Sequence, residues 1–174
     1  MQRVLVSACL LGSPVRYNGD HKQSDSAILQ RWLADGRVVS VCPELAGGLP
    51  VPRPPAEIVA TAGAHDVILG LGLVRDINGH DVSAAFVSGA EQTLQQALRH
   101  AVKVVVLKEG SPSCGSGYVY DGSFSGNRVA GQGVATTLLQ QAGIRVFSEH
   151  EFAKADALLR LLEASATTDA SEIP

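Results

Sequence analysis

Residues 103–114 read KVVVLKEGSPSC. Four apolar, mostly β-branched residues follow one lysine and stop at a charge and a glycine, the pattern of a short strand buried on both faces. Such a strand belongs to a parallel sheet, and the chain outward from it agrees. Val4–Ser7, Arg37–Val41 and Ile144–Phe147 have the same character, with helical patterns between them. Ile28, Leu29, Trp32 and Leu33 share one face of a helix that Ser24 or Ser26 caps and Gly36 ends. Phe86, Ala90, Leu94 and Leu98 recur every four residues over 82–100, a second amphipathic helix. Gly133–Gln141 reads as a third, closed by Gly143. Ser148 and Glu151 form an S-x-x-E capping box, with Phe147 placed to staple Phe152, and Leu158, Leu159 and Leu162 continue that last helix. Val67–Val74 alternates apolar residues with glycine and runs into a turn at Asn78-Gly79. The alternation predicts an α/β chain: a single-domain, three-layer Rossmann-like fold with a mostly parallel sheet and helices on both faces. Residues 1–165 form the domain, and 166–174 read as a polar C-terminal tail.

At 174 residues and 45% hydrophobic the chain can bury a core, which excludes wholesale disorder. Its apolar runs fall far short of the roughly 18 residues of a membrane span. The apolar run in MQRVLVSACLLG is too short for an export signal, so a cytoplasmic, reducing setting is expected. A net charge of −3 argues against a general polyanion binder and weighs against tRNA as substrate.

Three cysteines in such a chain suggest thiol or metal chemistry before a disulfide framework. Cys9 lies just past the first strand, Cys42 ends the second, and Cys114 follows the KVVVL strand by a few residues. In a parallel sheet all three fall at the carboxyl edge, where open α/β sheets bind ligands. No C-x-x-C occurs, which removes thioredoxin, zinc-ribbon and ferredoxin loops. A site assembled from three distant loops remains, soft and sulfur-rich, suited to zinc or to an iron–sulfur cluster with one position open. The two long connections point the same way. Residues 43–55 hold five of the eight prolines, and residues 110–126 hold five glycines and five serines with Cys114, Tyr118, Tyr120 and Phe124. Glu44, two residues past Cys42, is a candidate general acid/base. Asp121 and Glu109 are the alternatives. Ser111 and Ser113 bracket Pro112, where they can bind a ligand or close a turn. Arg16, Tyr17, Asn18, Arg53 and Lys108 flank these loops. The histidines show no metal-ligand spacing, and no nucleotide-binding glycine motif or nucleophile elbow is present.

Three strings carry a resemblance: VSACLLGxxVRYNG from Val6, VCPExxGGLPVPRxPxEI from Val41 and LKxxSPSCGxxxVYDGSFSG from Leu107, with DVSAAFVSGA between the last two. In this order they resemble the thiouracil desulfidase (TudS) family, small bacterial proteins formerly a domain of unknown function, over most of the chain. The resemblance implies a [4Fe-4S] cluster held by Cys9, Cys42 and Cys114, with one iron not bound by protein. It maps the family's catalytic glutamate and serine to Glu44 and Ser111. The implied reaction removes sulfur from a thiolated uracil or similar small thionucleobase by hydrolysis without net redox change, releasing hydrogen sulfide. Two other readings fit the residues alone: a zinc-thiolate hydrolase, and a non-catalytic sulfur- or cluster-binding module.

Overall fold

The computed structural model describes residues 1–59 and 63–169. A four-stranded sheet of β1 (Val4–Ser7), β2 (Val38–Val41), β5 (Val104–Leu107) and β8 (Arg145–Ser148) runs in the order β2-β1-β5-β8. Every pair is parallel: Val4 lies opposite Val38 and Val104, and Val104 lies opposite Arg145. β1 and β5 are central and buried at all four positions, as their unbroken apolar sequence requires.

Successive strand residues point to opposite faces, so one run of sequence feeds two cores. Val4, Val6, Val104, Val106 and Phe147 meet α1 (Ala27–Ala34) and α6 (Phe152–Asp169) through Leu29, Trp32, Phe152, Ala155 and Leu159. Leu5, Val105 and Leu107 meet α4 (Ser83–Arg99) and α5 (Val134–Gln141) through Ala97 and Leu139. Three layers result, helices on both faces of a parallel sheet, the architecture expected from the sequence. A third apolar cluster joins Phe86 and Ala90 of α4 and Val134 and Ala135 of α5 to α3 (Ala64–Ile68) and to a hairpin of β3 (Ala56–Ile58) and β4 (Val74–Asp76).

Several local expectations shift. Ser26, not Ser24, caps α1, its hydroxyl accepting from the Leu29 N–H. Leu33 is 42% exposed and Leu98 61% exposed, although the helical spacing predicts both on apolar faces. Steps of four residues each overrun a turn by about 40°, so Leu98 has rotated about 120° from Phe86. Gly89, Thr93 and Ala97 hold the buried stripe instead. The apolar–glycine alternation at 67–74 holds no single element: Val67 and Ile68 end α3, a turn follows, and β4 starts at Val74. Glu151 does accept the Ser148 N–H, the reciprocal half of a capping box, yet α6 begins only at Phe152. That helix continues past Ser165 to Asp169, into the expected tail, whose remaining residues 170–174 lie outside those described.

Asp156 of α6 is the buried acid of the first face. Its Oδ1 accepts from Arg31 Nη2 at 2.5 Å and Trp32 Nε1 at 2.9 Å, and Oδ2 from Arg160 Nε at 2.9 Å. Burial pushes the carboxyl up, but these hydrogen bonds and the two guanidinium charges outweigh it and hold it below its ordinary value.

Candidate functional site

Four parallel strands end together, and the chain goes from β1 outward to β2 before returning to β5 on the other side. The reversal opens a crevice between the carboxyl ends of β1 and β5. Cys9 enters it from a single 3₁₀ turn, Ala8–Leu11, that follows β1 directly and closes on Gly12 at φ +92°. Cys42 leaves β2 as the residue before α2 (Pro43–Ala46). Cys114 sits in a turn seven residues past β5. All three thiols are free, and all three line one cavity of about 920 Å³, at the upper end for a small-molecule site.

Backbone contact rather than side-chain volume fixes these loops. α2 lies on α4 at two glycines. A Cβ on Gly47 would stand 2.0 Å from the Ala85 carbonyl oxygen, and one on Gly89 would stand 2.0 Å from the Pro43 carbonyl oxygen. The Ser111–Gly115 turn takes up the otherwise unpaired N–H groups at the start of α5: Val134 donates to the Pro112 carbonyl, and Ala135 and Thr136 to that of Ser113. A Cβ on Gly133 would strike the Ser113 carbonyl carbon at 2.3 Å. The rest of the glycine–serine stretch is not structureless. β6 (Tyr118–Tyr120) pairs antiparallel with β7 (Arg128–Ala130), and Tyr118, Tyr120 and Arg128 line the far wall of the cavity, Arg128 lying 4.5 Å over the Tyr118 ring.

The thiols are held neutral. Burial, reinforced by the neighbouring Cys42, pushes Cys9 up to about 11 against Arg16 and Lys108. Burial pushes Cys114 up to about 12, with Cys42, Glu44 and Cys9 adding to it and the Ser113 hydroxyl opposing. Cys42 is raised by burial too. The N–H groups of Leu45 and Glu44 pull the other way, without a capping hydrogen bond. All three thiols need bound cations before they lose their protons together. Among the described residues, no group of three or more His, Cys, Asp or Glu side chains could hold a single metal ion. A multi-iron cluster fits the donor set, since it offers a separate iron to each soft sulfur.

Glu44 is gripped at both oxygens. Arg53, with a side chain only 6% exposed, donates to Oε2 through Nε at 2.6 Å and also through Nη2. The same guanidinium donates to the Val15 and Pro50 carbonyls and so ties the Cys9 loop to the Cys42 loop. Ser113 donates to Glu44 Oε1 at 3.0 Å. Ser111 Oγ accepts the Cys114 N–H at 2.8 Å and the Ser113 N–H at 3.3 Å. The alternative acids are engaged elsewhere. Burial raises Glu109, but N–H groups of Ser116, Gly117 and Gly110 and the Ser116 hydroxyl hold it low, so it fastens its own loop. Asp121 is held low chiefly by Ser123. Lys108 pairs with Glu149. Asn18 is not among the residues lining the cavity.

Sequence reading brought the right loops together and missed their wiring. Arg53 reads as a ligand contact or a loop charge and Ser113 as a ligand-binding or turn residue, with no signal that both meet Glu44. Arg128 gave no signal, because it faces the cavity only through pairing with β6.

Fold and site together define a class: α/β proteins with a three-thiol corner at the switch point of a parallel sheet. A family model described as 2-thiouracil desulfurase matches residues 4–151, and the chain belongs to that family. It is 45% identical over 148 residues to the uncharacterized protein YbbK of Bacillus subtilis (strain 168), covering 85% of this chain and 96% of that one. Among solved structures it is similar to a [4Fe-4S]-dependent thiouracil desulfidase, TudS, with a TM-score of 0.84 and 45% identity over 92% of this chain and 99% of that chain.

Proposed function

We propose that this chain is a [4Fe-4S]-dependent desulfidase that converts a thiolated uracil, or a similar small thionucleobase, and water to the oxo base and hydrogen sulfide. The observation that carries the reading is the meeting of three free thiols, from three separate strand ends, in one cavity. Membership of the 2-thiouracil desulfurase family supports the substrate class. Cys9, Cys42 and Cys114 would hold the cluster and leave one iron without a protein ligand. When bound, that group supplies a soft Lewis acid matched to a thiocarbonyl sulfur.

The protein supplies the rest. Replacing C=S by C=O takes one water and needs no oxidant or reductant, so the burden is proton handling. Glu44 is the acceptor for the proton of the attacking water and returns it to the departing sulfide. Arg53 occupies Oε2, which leaves Oε1 as the oxygen facing the serines. Ser111 has already accepted two N–H groups, so its one remaining capacity is to donate, suited to a pyrimidine carbonyl or ring nitrogen. No helix among the described residues is long and apolar enough to cross a membrane.

The test is anaerobic reconstitution followed by assay of wild type and Glu44→Gln against a panel of thiopyrimidines. The wild type should turn brown and release sulfide and uracil in equal amounts over many turnovers. Glu44→Gln, compared at matched iron content, should lose about 10²–10⁴ in kcat. A stable chromophore with no turnover on any thiopyrimidine would instead make the chain a cluster-binding module.

A further inference from the structure

Ser113 is 1% exposed and touches three groups of the site at once. Its Oγ lies 3.0 Å from Glu44 Oε1, 3.1 Å from Ser111 Oγ and 3.6 Å from Cys114 Sγ. A hydroxyl has one proton to give and two lone pairs to receive with, and that count fixes the directions. Ser111 Oγ has spent both lone pairs on the N–H groups of Cys114 and Ser113, so toward Ser113 it can only donate. Ser113 must then accept from Ser111 and send its own proton elsewhere. A carboxylate at 3.0 Å is a far stronger acceptor than a sulfur at 3.6 Å. The bonds run one way, from Ser111 through Ser113 to Glu44.

Resting on the reading of Ser111 and Glu44 given above, we propose that Ser113 is a positioning residue that joins these two groups into one hydrogen-bonded unit. Arg53 anchors the other end. With Oε2 held by the guanidinium and Oε1 by Ser113, the Glu44 carboxylate keeps a single orientation in the cavity. The Ser111 hydroxyl has two settings, toward Ser113 or toward substrate. In the second setting the hydroxyl–hydroxyl bond opens, but the Ser113 N–H still donates to Ser111 Oγ and the Ser113 hydroxyl still holds Oε1, so the two groups stay joined through Ser113. Glu44 and Ser111 stand 67 residues apart in sequence and share no direct bond, so without Ser113 they would act independently.

The test combines kinetics of the reconstituted enzyme with spectroscopy of the cluster-free protein. In the cluster-free chain the carboxyl carbon resonance of Glu44, identified by its loss in Glu44→Gln, should move in Ser113→Ala. In the reconstituted enzyme at matched iron, Ser113→Ala should lose about tenfold to a hundredfold in kcat, the worth of one charge-assisted hydrogen bond. KM should stay within about twofold, since Ser113 lies behind the groups that meet substrate. The double variant Ser113→Ala/Glu44→Gln should fall no further than Glu44→Gln alone. Losses that multiply, or an unmoved Glu44 resonance, would overturn the coupling while leaving Glu44 as the acid–base group. A Glu44→Gln enzyme at the wild-type rate would overturn the acid–base reading and the coupling with it. If Ser113→Ala does not fold, Glu44→Asp keeps the charge and withdraws it from Ser113 by one methylene. The same loss in kcat is then expected, and a wild-type rate would overturn the proposal.

Discussion

The sheet face covered by α1 and α6 and the rim at the strand ends are built on opposite principles. On the face, Trp32, Leu29, Phe152 and Leu159 fill space with large apolar side chains, and the one buried acid, Asp156, is fully partnered. At the rim, glycines press backbone against backbone, Arg53 and Ser113 clamp a carboxylate, and burial keeps three thiols protonated. The face derives its stability from volume, whereas the rim spends stability to hold chemistry in place. Damage to one should therefore look unlike damage to the other.

The largest contrast is expected from Cys114→Ser. Serine is a hard ligand whose hydroxyl stays protonated, so reconstituted iron and sulfide content should fall to near nothing while the apoprotein melts close to wild type. Full iron content in that variant would show that Cys114 is not a ligand. Trp32→Ala should do the reverse. It should cost about 3–5 kcal/mol in chemical denaturation and leave activity per folded, iron-loaded molecule unchanged. A variant that is stable but cluster-deficient would mean that the face and the rim are coupled.

Gly89→Ala should blur the division. The added methyl meets the Pro43 carbonyl between Cys42 and Glu44, where backbone has to move, at about 1–3 kcal/mol. Melting temperature and cluster content should fall together, and an iron-replete, wild-type-stable Gly89→Ala would refute the close seating of α2. The last test concerns alkaline pH. In the apoprotein, Cys9 and Cys114 bind their protons more tightly than the unfolded chain does, up to about 11 and about 12 against an ordinary 9.0. Their contribution to stability is complete below about pH 9 and is lost as pH rises through those folded values. Melting of Cys9→Ala/Cys114→Ala should decline less steeply over that window than melting of the parent; equal slopes would mean the thiols do not matter there.

The same contrast explains what was legible in the sequence. β1 and β5 could be read because burial on both faces demands unbroken apolar residues. Trp32 and Leu29 could be read because a helix repeats its buried face. The placing of Cys9, Cys42 and Cys114 at one edge followed once the strands were parallel. Leu33 and Leu98 misled because the exact rotation of a helix depends on its neighbours. Val67–Val74 could not be assigned because helix α3, a turn and β4 share a stretch too short to show any period. Ser113, 69 residues from Glu44, and Arg53, which leaves its own proline-rich loop to reach it, could not be read as partners. Tertiary folding makes those bonds, and local patterning carries no trace of them.

The seat of α2 on α4 also bears on how this protein can vary. When a core residue such as Leu29 shrinks, a neighbour can grow to fill the space, and when it grows, a neighbour can shrink. Gly47 and Gly89 allow no such exchange, because each already faces a main-chain carbonyl and neither has a side chain left to give up. A change at one has no repair at the other. Two positions 42 residues apart are thus bound to a single residue type by geometry alone, and any redesign of this cavity has to begin by leaving them as they are.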